Sequence, residues 1–458
     1  MPVNLEHPDY TDACKRWSLV RAIVDNCAQK FIRTVDDGDT ERSRQYRADA
    51  ILTNFTALTQ KGLTGLIFLK EPNITLPPQL DYLDEDATGS GLSLNQLAQK
   101  MTGDLLETGR YGLLVDYPRM EDDLSVADLE SGNYAARLLP YNAESIINWK
   151  YDRVNGKDQL SMVVLRECKQ VMGEDAFDWS SVDQYRALQL IDGVYYQSIY
   201  NEDLELVDIV TPTNVDGQVF RYIPFVFFGS ENNDCVCDNP PLYDLAVLNL
   251  GHYRNSADYE ESIFVTGQPT VVINVGDLDA LQWKELNGGS FKFGSRGGHV
   301  VGLGGNAQLL QASPNQLAAQ AMLDKQAAAV AIGARLIAPA GGRETAEAAR
   351  IRYSSQNSAL FILTKNISEG LELALEFCCD YTKDADPEVV EVELNDQFYE
   401  EGADVTLIAQ AIMLFDRNIV TSKEIRSYID SSGSGLTLDP DMTPPALALV
   451  GDLKNPLD

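Results

Sequence analysis

Asp238-Asn239-Pro240-Pro241-Leu242 opens, and Gly267-Gln268-Pro269 closes, a segment that carries the start and stop signals of one long helix. Proline after an Asn or Asp suits a helix start, because its missing amide proton has no partner there in any case. A helix is therefore expected from about Leu242 to Val265, roughly 36 Å long at 1.5 Å per residue. Leu242, Leu245, Leu250, Tyr253, Ala257 and Phe264 supply only a partial apolar stripe, and His252, Arg254, Asp258, Glu260 and Glu261 share its face. Such a helix is not expected to bury itself on the core of a single chain; it should pack against other long helices or other subunits.

Downstream, Thr270–Val275 reads as a strand, and the segment to Asn306 is rich in glycine, with a further short strand at His299–Leu303. That pattern predicts a small β unit. Ser313-Pro314 opens a second long helix to about Arg335, with Ser313 placed to cap it. Its run Ala327-Ala328-Ala329-Val330-Ala331 is thin enough for close helix packing. Ile337-Ala338-Pro339-Ala340-Gly341-Gly342 breaks the chain, since proline lacks a donor and glycine loosens the backbone. A third long helix is expected over Thr345–Tyr381, with Ile351, Leu360, Leu363, Ile367, Leu371, Ala374, Leu375 and Cys378 along one side. Val389–Leu394 reads as a strand, Val405–Phe415 and Ser422–Ile429 as shorter helices, and the tail from Ser431 as irregular.

Upstream of Asp238 the period changes along the chain. Tyr10–Asp36 reads as a helix through Trp17, Val20, Ile23, Val24 and Cys27, and Arg47–Phe55 as a second, shorter one. Leu63–Phe68 reads as an apolar strand closed by the turn Glu71-Pro72-Asn73. Leu92–Thr108 is amphipathic through Leu94, Leu97, Met101, Leu105 and Leu106; Gly109-Arg110-Tyr111-Gly112 breaks it before a strand at Leu113–Tyr117. From Ala135 to Val226 the period falls towards two, with Leu160–Leu165, Tyr185–Ile191, Gly193–Tyr200 and Val219–Val226 as strands of an antiparallel sheet. The first 235 or so residues thus form an α+β domain.

The chain has 458 residues and a formal net charge of −33. By itself that charge argues against a protein that grips nucleic acid and fits a soluble surface that repels phosphate. No apolar run reaches the roughly 18 residues of a membrane span. The first nine residues lack the basic and apolar parts of a signal peptide, so a cytoplasmic chain is expected. Seven cysteines scattered over this length do not form a disulfide framework and are expected as free thiols.

Motifs for chemistry are weak. Gly302-Leu303-Gly304-Gly305-Asn306-Ala307 resembles a dinucleotide loop, but no helix opens directly after it, so a glycine-rich turn is the better reading. The three histidines, His7, His252 and His299, are far apart, and Cys235-Val-Cys237 lacks zinc spacing. Asp84-Glu85-Asp86 and Glu121-Asp122-Asp123 read as solvated charge. No catalytic constellation, metal site or cofactor is expected, and the chain is read as no enzyme.

The order long helix, small glycine-rich β unit, long helix, Pro/Gly break, long helix resembles the portal proteins of tailed bacteriophages. The carrying stretches are Tyr253-Arg254-Asn255-Ser256-Ala257-Asp258-Tyr259-Glu260-Glu261, running to Gly267-Gln268-Pro269-Thr270, and Arg343-Glu344-Thr345-Ala346-Glu347-Ala348-Ala349-Arg350-Ile351, continued by Ser354–Leu360. His7-Pro8-Asp9-Tyr10, Gly109–Asp116 and Ile419-Val420-Thr421-Ser422 fit as well, so the resemblance covers residues 7 to 432.

That resemblance implies an α+β portal fold with an α/β wing, long stem helices, a small β-rich clip and a helical crown. By region it implies a wing at 1–240, stem helices at 241–265 and 313–336, and a clip at 266–312. It implies a tunnel loop at 337–343, a long helix and a strand returning to the wing at 344–398, crown helices at 399–432 and an irregular tail at 433–458. The loop Ile337, Ala338, Pro339, Ala340, Gly341, Gly342 and Arg343 would line a DNA channel. Arg335 and Arg343 would either touch phosphates in passing or face acidic neighbours across a subunit boundary. The implied assembly is a homo-oligomeric ring of about twelve subunits at one capsid vertex of a virion, built in the host cytoplasm, through which double-stranded DNA is packaged and ejected. Implied partners are that DNA, terminase, major capsid and scaffolding proteins, and head-completion, adaptor and tail proteins, with no membrane. The alternative is another oligomeric head–tail connector or structural protein.

Overall fold

The computed structural model describes residues 2–116, 135–154, 156–172, 177–267, 270–289, 300–310, 316–332, 346–382, 384–396 and 398, with 270, 310 and 346–358 described by their backbone alone. The chain divides into two units, 1–396 and 397–458. All of the elements named below belong to the first unit.

Helix α1 (Pro8–Val24) starts where His7 accepts the Asp9 amide at 3.2 Å and Pro8 occupies the first turn. It buries Trp17, whose indole N–H donates to Thr108 O at 2.7 Å. It ends at Val24, well short of the expected Asp36, because Asn26 takes a left-handed φ of 58° that no helix continues. Helices α2 (Glu41–Asp49) and α3 (Phe55–Ile67) replace the single stretch expected at Arg47–Phe55. Asn54 separates them: it accepts the Ala57 amide at 2.9 Å and donates to Ile23 O at 2.6 Å, so one side chain caps α3 and ties it to the end of α1. The strand expected at Leu63–Phe68 is instead the last turns of α3. Leu63 and Ile67, four residues apart, are both buried, a helical spacing hidden within a short, mostly apolar run.

A short strand β1 (Asn73–Thr75) and a single turn of helix α4 (Tyr82–Glu85) lead to α5 (Leu94–Thr108). Ser93 and Gln96 form a reciprocal capping box, and Leu94, Leu97, Met101 and Leu105 are fully buried. Gly109 ends α5 at φ 70°, and a Cβ there would stand 2.9 Å from Asn239 O. Glycine is required on both counts.

Strand β2 (Arg110–Asp116) is the centre of a three-stranded antiparallel sheet, between β3 (Arg137–Asn142) and β9 (Phe225–Gly229). The second sheet is a five-stranded meander of β4 (Ile146–Val154), β5 (Lys157–Met172), β6 (Trp179–Ile191), β7 (Val194–Tyr200) and β8 (Leu206–Val210). The antiparallel α+β reading holds, but as two sheets. Of the strand expected at Val219–Val226, only Phe225 and Val226 are extended in β9, and they pair with residues more than a hundred positions earlier.

From Pro241 the chain leaves the sheets as α6 (Tyr243–Gly267), then β10 (Thr270–Asn274), the short α7 (Ala280–Leu286), β11 (Asn306–Leu310), α8 (Leu317–Ile332) and α9 (Ala346–Tyr381). Strand β11, rather than His299–Leu303, pairs antiparallel with β10, from Thr270 opposite Leu310 to Asn274 opposite Asn306. Helix α7 was not expected, although its signal, Asp279 followed three residues later by Gln282, is a capping box in both sequence and structure. Leu360, Leu363, Ile367, Leu371, Ala374, Leu375 and Cys378 of α9 are buried, as their spacing requires. Finally β12 (Glu391–Glu393) pairs antiparallel with β1, within the stretch Val389–Leu394 read as a strand.

Candidate functional site

The excursion α6–β10–α7–β11–α8 shares no strand pairing with the two sheets and is termed the arm. Its start is fixed from behind by Arg110. That guanidinium is almost wholly buried, 4.0 Å from the Trp149 ring centroid and 4.6 Å from that of Phe227. It donates to Cys235 O at 2.8 Å, holding the loop between β9 and α6 against the sheet. Burial lowers its pKa from the ordinary value.

The expectation that α6 cannot bury itself on its own chain needs correcting. Leu245, Ala246, Asn249, Leu250, His252, Tyr253, Ser256 and Ala257 are buried in the monomer. Asn249 and Ser256 are matched by the extended segment before α3 and its first turn. Thr56 donates its N–H and hydroxyl to Asn249 Oδ1, both at 3.1 Å, Asn249 Nδ2 donates to Thr53 O at 2.9 Å, and Ser256 Oγ accepts the Ile51 amide at 3.0 Å. Two carboxylates of α6 also find cations in the same chain: Arg33 meets Asp258 at 2.8 Å and Arg42 meets Glu261 at 2.8 Å. The partial stripe Leu242, Leu245, Leu250, Tyr253 and Ala257 is itself buried, and hydrogen bonds that periodicity does not register satisfy the polar residues beside it. Only the last third fits the expectation, with Ile263, Phe264 and Val265 exposed.

Helix α8 returns antiparallel along α6. Gly251 lies beside Lys325, and Ile332 at the end of α8 reaches Leu242 and Leu245 at the start of α6. Those three, with Leu63, Leu360 and Leu363, help to line an apolar cleft of about 350 Å³ at the base of the arm. Away from α6 the helix is bare at Leu323 and Val330, Leu317 is exposed at its start, and Ala329 is its one buried residue among those described. At the tip, Gly302 N donates to Val275 O at 3.1 Å, Leu303 N to Asp277 Oδ1 at 2.6 Å and Gly305 N to Gly302 O at 2.9 Å. These amides of the dinucleotide-like motif are thus spent inside a tight turn.

The expected channel residues Ile337, Ala338, Pro339, Ala340, Gly341, Gly342 and Arg343, and the expected phosphate contact Arg335, lie outside the described residues, as do Ser313, His299, Glu121–Asp123, the expected helices Val405–Phe415 and Ser422–Ile429, and the tail from Ser431. His7 stacks on Trp149 and His252 packs edge-on to Phe55. Among the described residues no cluster of three or more His, Cys, Asp or Glu is built to hold a metal. All seven cysteines are free. No helix among the described residues is long and apolar enough to cross a membrane.

Residues 241–382 match a family described as Domain of unknown function (DUF4055). The matched span begins two residues before α6 and ends one residue after α9, so it is the arm plus the last long helix. No curated protein sequence matches the chain. Solved structures do. A chain from the virion of a native gene transfer agent particle is 15% identical, with a TM-score of 0.40, over 90% of this chain and 99% of its own. One from the neck of the native particle, computed with twelvefold symmetry, is 15% identical with a TM-score of 0.42, over 84% and 91%. A phage portal protein of the HK97 family from Corynebacterium diphtheriae is 10% identical with a TM-score of 0.33, over 76% and 96%. The chain is similar to phage portal-like proteins.

Proposed function

We infer that this chain is a portal subunit: one of about twelve copies forming a ring at a single capsid vertex, through which double-stranded DNA is packaged and ejected. The observation that carries the reading is the arm. Two antiparallel helices hold a two-stranded β unit at their far end, and the outer side of α8 leaves an apolar strip through Leu323 and Val330 in solvent. A monomer rarely leaves such a strip open, and a head-to-tail contact between copies closes into a ring when its rotation allows. Residues 1–240 act as the wing, 241–265 and 313–336 as stem, 266–312 as clip, and 344–398 as the long helix and its return strand. The segment 399–432 acts as the crown.

In this reading 337–343 is the tunnel loop and contacts DNA without reading its sequence, while Arg335 and Arg343 meet phosphates or acidic neighbours. The arm from Tyr243 to Ile332 carries a net charge of only −3, out of −33 for the chain. The stem can therefore pack copy against copy with little repulsion, while the acidic remainder repels the duplex backbone and lets it slide. Terminase docks on the clip and supplies the packaging energy, and adaptor, tail, capsid and scaffolding proteins meet the same ring. Light scattering after size exclusion is expected to give a mass near twelve subunits, or eleven to thirteen without a capsid. A monomer or dimer at micromolar concentration across several salt conditions overturns the reading.

A further inference from the structure

Strand β5 runs for 16 residues, roughly 50 Å at 3.3 Å per residue, and outreaches the neighbour on either side. Only Met162–Leu165 is flanked by both β4 and β6. Before Met162 the strand pairs with β4 alone, and beyond Leu165 with β6 alone, while β7 supports β6 only as far as Tyr185. Among the described residues each end of β5 is therefore a two-stranded ribbon.

Both ends carry apolar side chains in solvent, and their charges are opposite. At the β4–β5 end Tyr151 is 37% and Val154 45% exposed; at the β5–β6 end Met172 is 56% and Trp179 58% exposed, directly opposite each other across the ladder. Residues 150–158 hold Lys150, Arg153 and Lys157 against Asp152 and Asp158, a local net charge of +1 in a chain of −33. Asp152 is taken by Lys150 at 2.7 Å, whereas Arg153 and Lys157 are exposed and make no ion pair among the described residues. Residues 168–183 hold Glu174, Asp175, Asp178 and Asp183 against Lys169 alone, a net −3. Asp178 and Asp183 are exposed and likewise make no ion pair among the described residues. Each end offers the charge that the other lacks, yet one strand holds the two too far apart to meet within a chain.

We propose that the acidic β5–β6 end of one copy docks on the basic β4–β5 end of the next, a contact that rests on the ring reading above. Met172 and Trp179 of one copy cover Tyr151 and Val154 of the next, and Asp178 and Asp183 meet Arg153 and Lys157. Because the two surfaces differ, the contact is head to tail, the kind that passes from copy to copy around a closed ring. It ties neighbours together through residues 1–240, separately from the stem helices.

Cross-linking on the full chain tests it. In a Cys168→Ser background, Asp158→Cys and Ser180→Cys are introduced together and treated with a short bismaleimide, which cannot bridge these ends within one chain. Linked multimers are expected from that chain and not from either new cysteine alone. Arg153→Glu with Lys157→Glu, or Asp178→Lys with Asp183→Lys, changes only exposed side chains. Either pair is expected to cut the linked product several-fold with the circular dichroism unchanged. Uniting both pairs in one chain is expected to restore most of it, since the two ends exchange sign together. Rings of the expected mass that give no linked product, or product indifferent to either pair in folded variants, overturn the proposal and leave the ring reading standing. No recovery in the united variant overturns it equally. A parent chain that stays monomeric in light scattering sinks the ring reading, and this contact with it.

Discussion

Gly251 of α6 faces Lys325 of α8 so closely that a Cβ on the glycine would stand 3.0 Å from the lysine Cε. The two helices of the arm touch here almost backbone to side chain, next to the buried His252. The contact is with the far end of a flexible side chain, so size at this position, rather than any substitution, should decide the outcome.

Gly251→Ala is accordingly expected to hold or raise stability by up to about 1 kcal/mol, the usual gain of helix propensity. Gly251→Leu is expected to lower it by about 1–3 kcal/mol through overpacking. Urea titration of the two variants checks both signs, and a leucine variant as stable as the parent would contradict the close approach.

His252 predicts an acid sensitivity. Its ring is buried edge-on to Phe55 at 5.1 Å, and its Nδ1 has no hydrogen-bond partner. Burial first, and the Lys325 charge second, hold its pKa below the ordinary 6.5. The unfolded chain therefore takes up the proton sooner, so the stability this residue contributes is complete above pH 6.5 and drains away as pH falls through and below that value. His252→Phe should flatten that part of the melting-temperature profile between neutral and mildly acidic pH. An unchanged profile would remove His252 as its source.

Arg21 places one guanidinium beside three carboxylates, 2.6 Å from Asp104, 2.7 Å from Glu107 and 3.0 Å from Glu144. Burial raises the pKa of both Asp104 and Glu107, and Arg21 opposes that rise. Arg21→Met is expected to cost about 3–5 kcal/mol, because it strands buried charge rather than merely deleting a bond. The variant should recover stability as pH is lowered and the carboxyls protonate, a trend opposite to that of His252. Chemical denaturation at neutral and acidic pH measures both, and a loss below about 1 kcal/mol would not fit a buried network.

Gly370 of α9 lies against the Phe228 ring of β9 with no room for a Cβ. Gly370→Ala should therefore destabilise by about 1–3 kcal/mol despite the better helix propensity of alanine. The double variant Gly370→Ala, Phe228→Leu should recover part of that loss in a thermal melt. If alanine alone is stabilising, the helix does not press on the sheet there.

Deleting 338–342 addresses the proposed tunnel loop. Rings are expected to assemble normally, as seen by electron microscopy, while a packaging assay shows impaired loading or retention of DNA. Intact rings that load and hold DNA at the parental rate would end that role. Loss of rings altogether would mark the segment as an ordinary turn between subunits.

Where a local rule acts, the sequence was enough. Gly109 marks the end of α5, Pro241 and Gly267 the limits of α6, and the period of Leu360, Leu363, Ile367 and Leu371 the buried face of α9. Each depends on residues within a few positions, so reading in order recovers it. The caps that start α5 and α7, Ser93–Gln96 and Asp279–Gln282, are equally local, but the second stands in a segment whose glycines read as turns between strands. The candidate channel could be read only as a break in helix periodicity at Pro339, with no chemistry attached to it.

Tertiary structure decided the rest, because the deciding partners lie far away in sequence. Leu63–Phe68 is continuously apolar but for Thr64 and Gly65, and such a run fits a strand or a buried helix turn equally well; Asn54 and its bond to Ile23 O settle it as helix. Phe225 and Val226 left the expected meander because β2 offered an open edge. Beside its apolar stripe, α6 also buries Asn249 and Ser256, which find partners at Thr53, Thr56 and Ile51 that no hydrophobic period can announce. Composition and local propensity are properties of the chain, whereas an edge, a burial or a neighbour is a property of how distant segments meet.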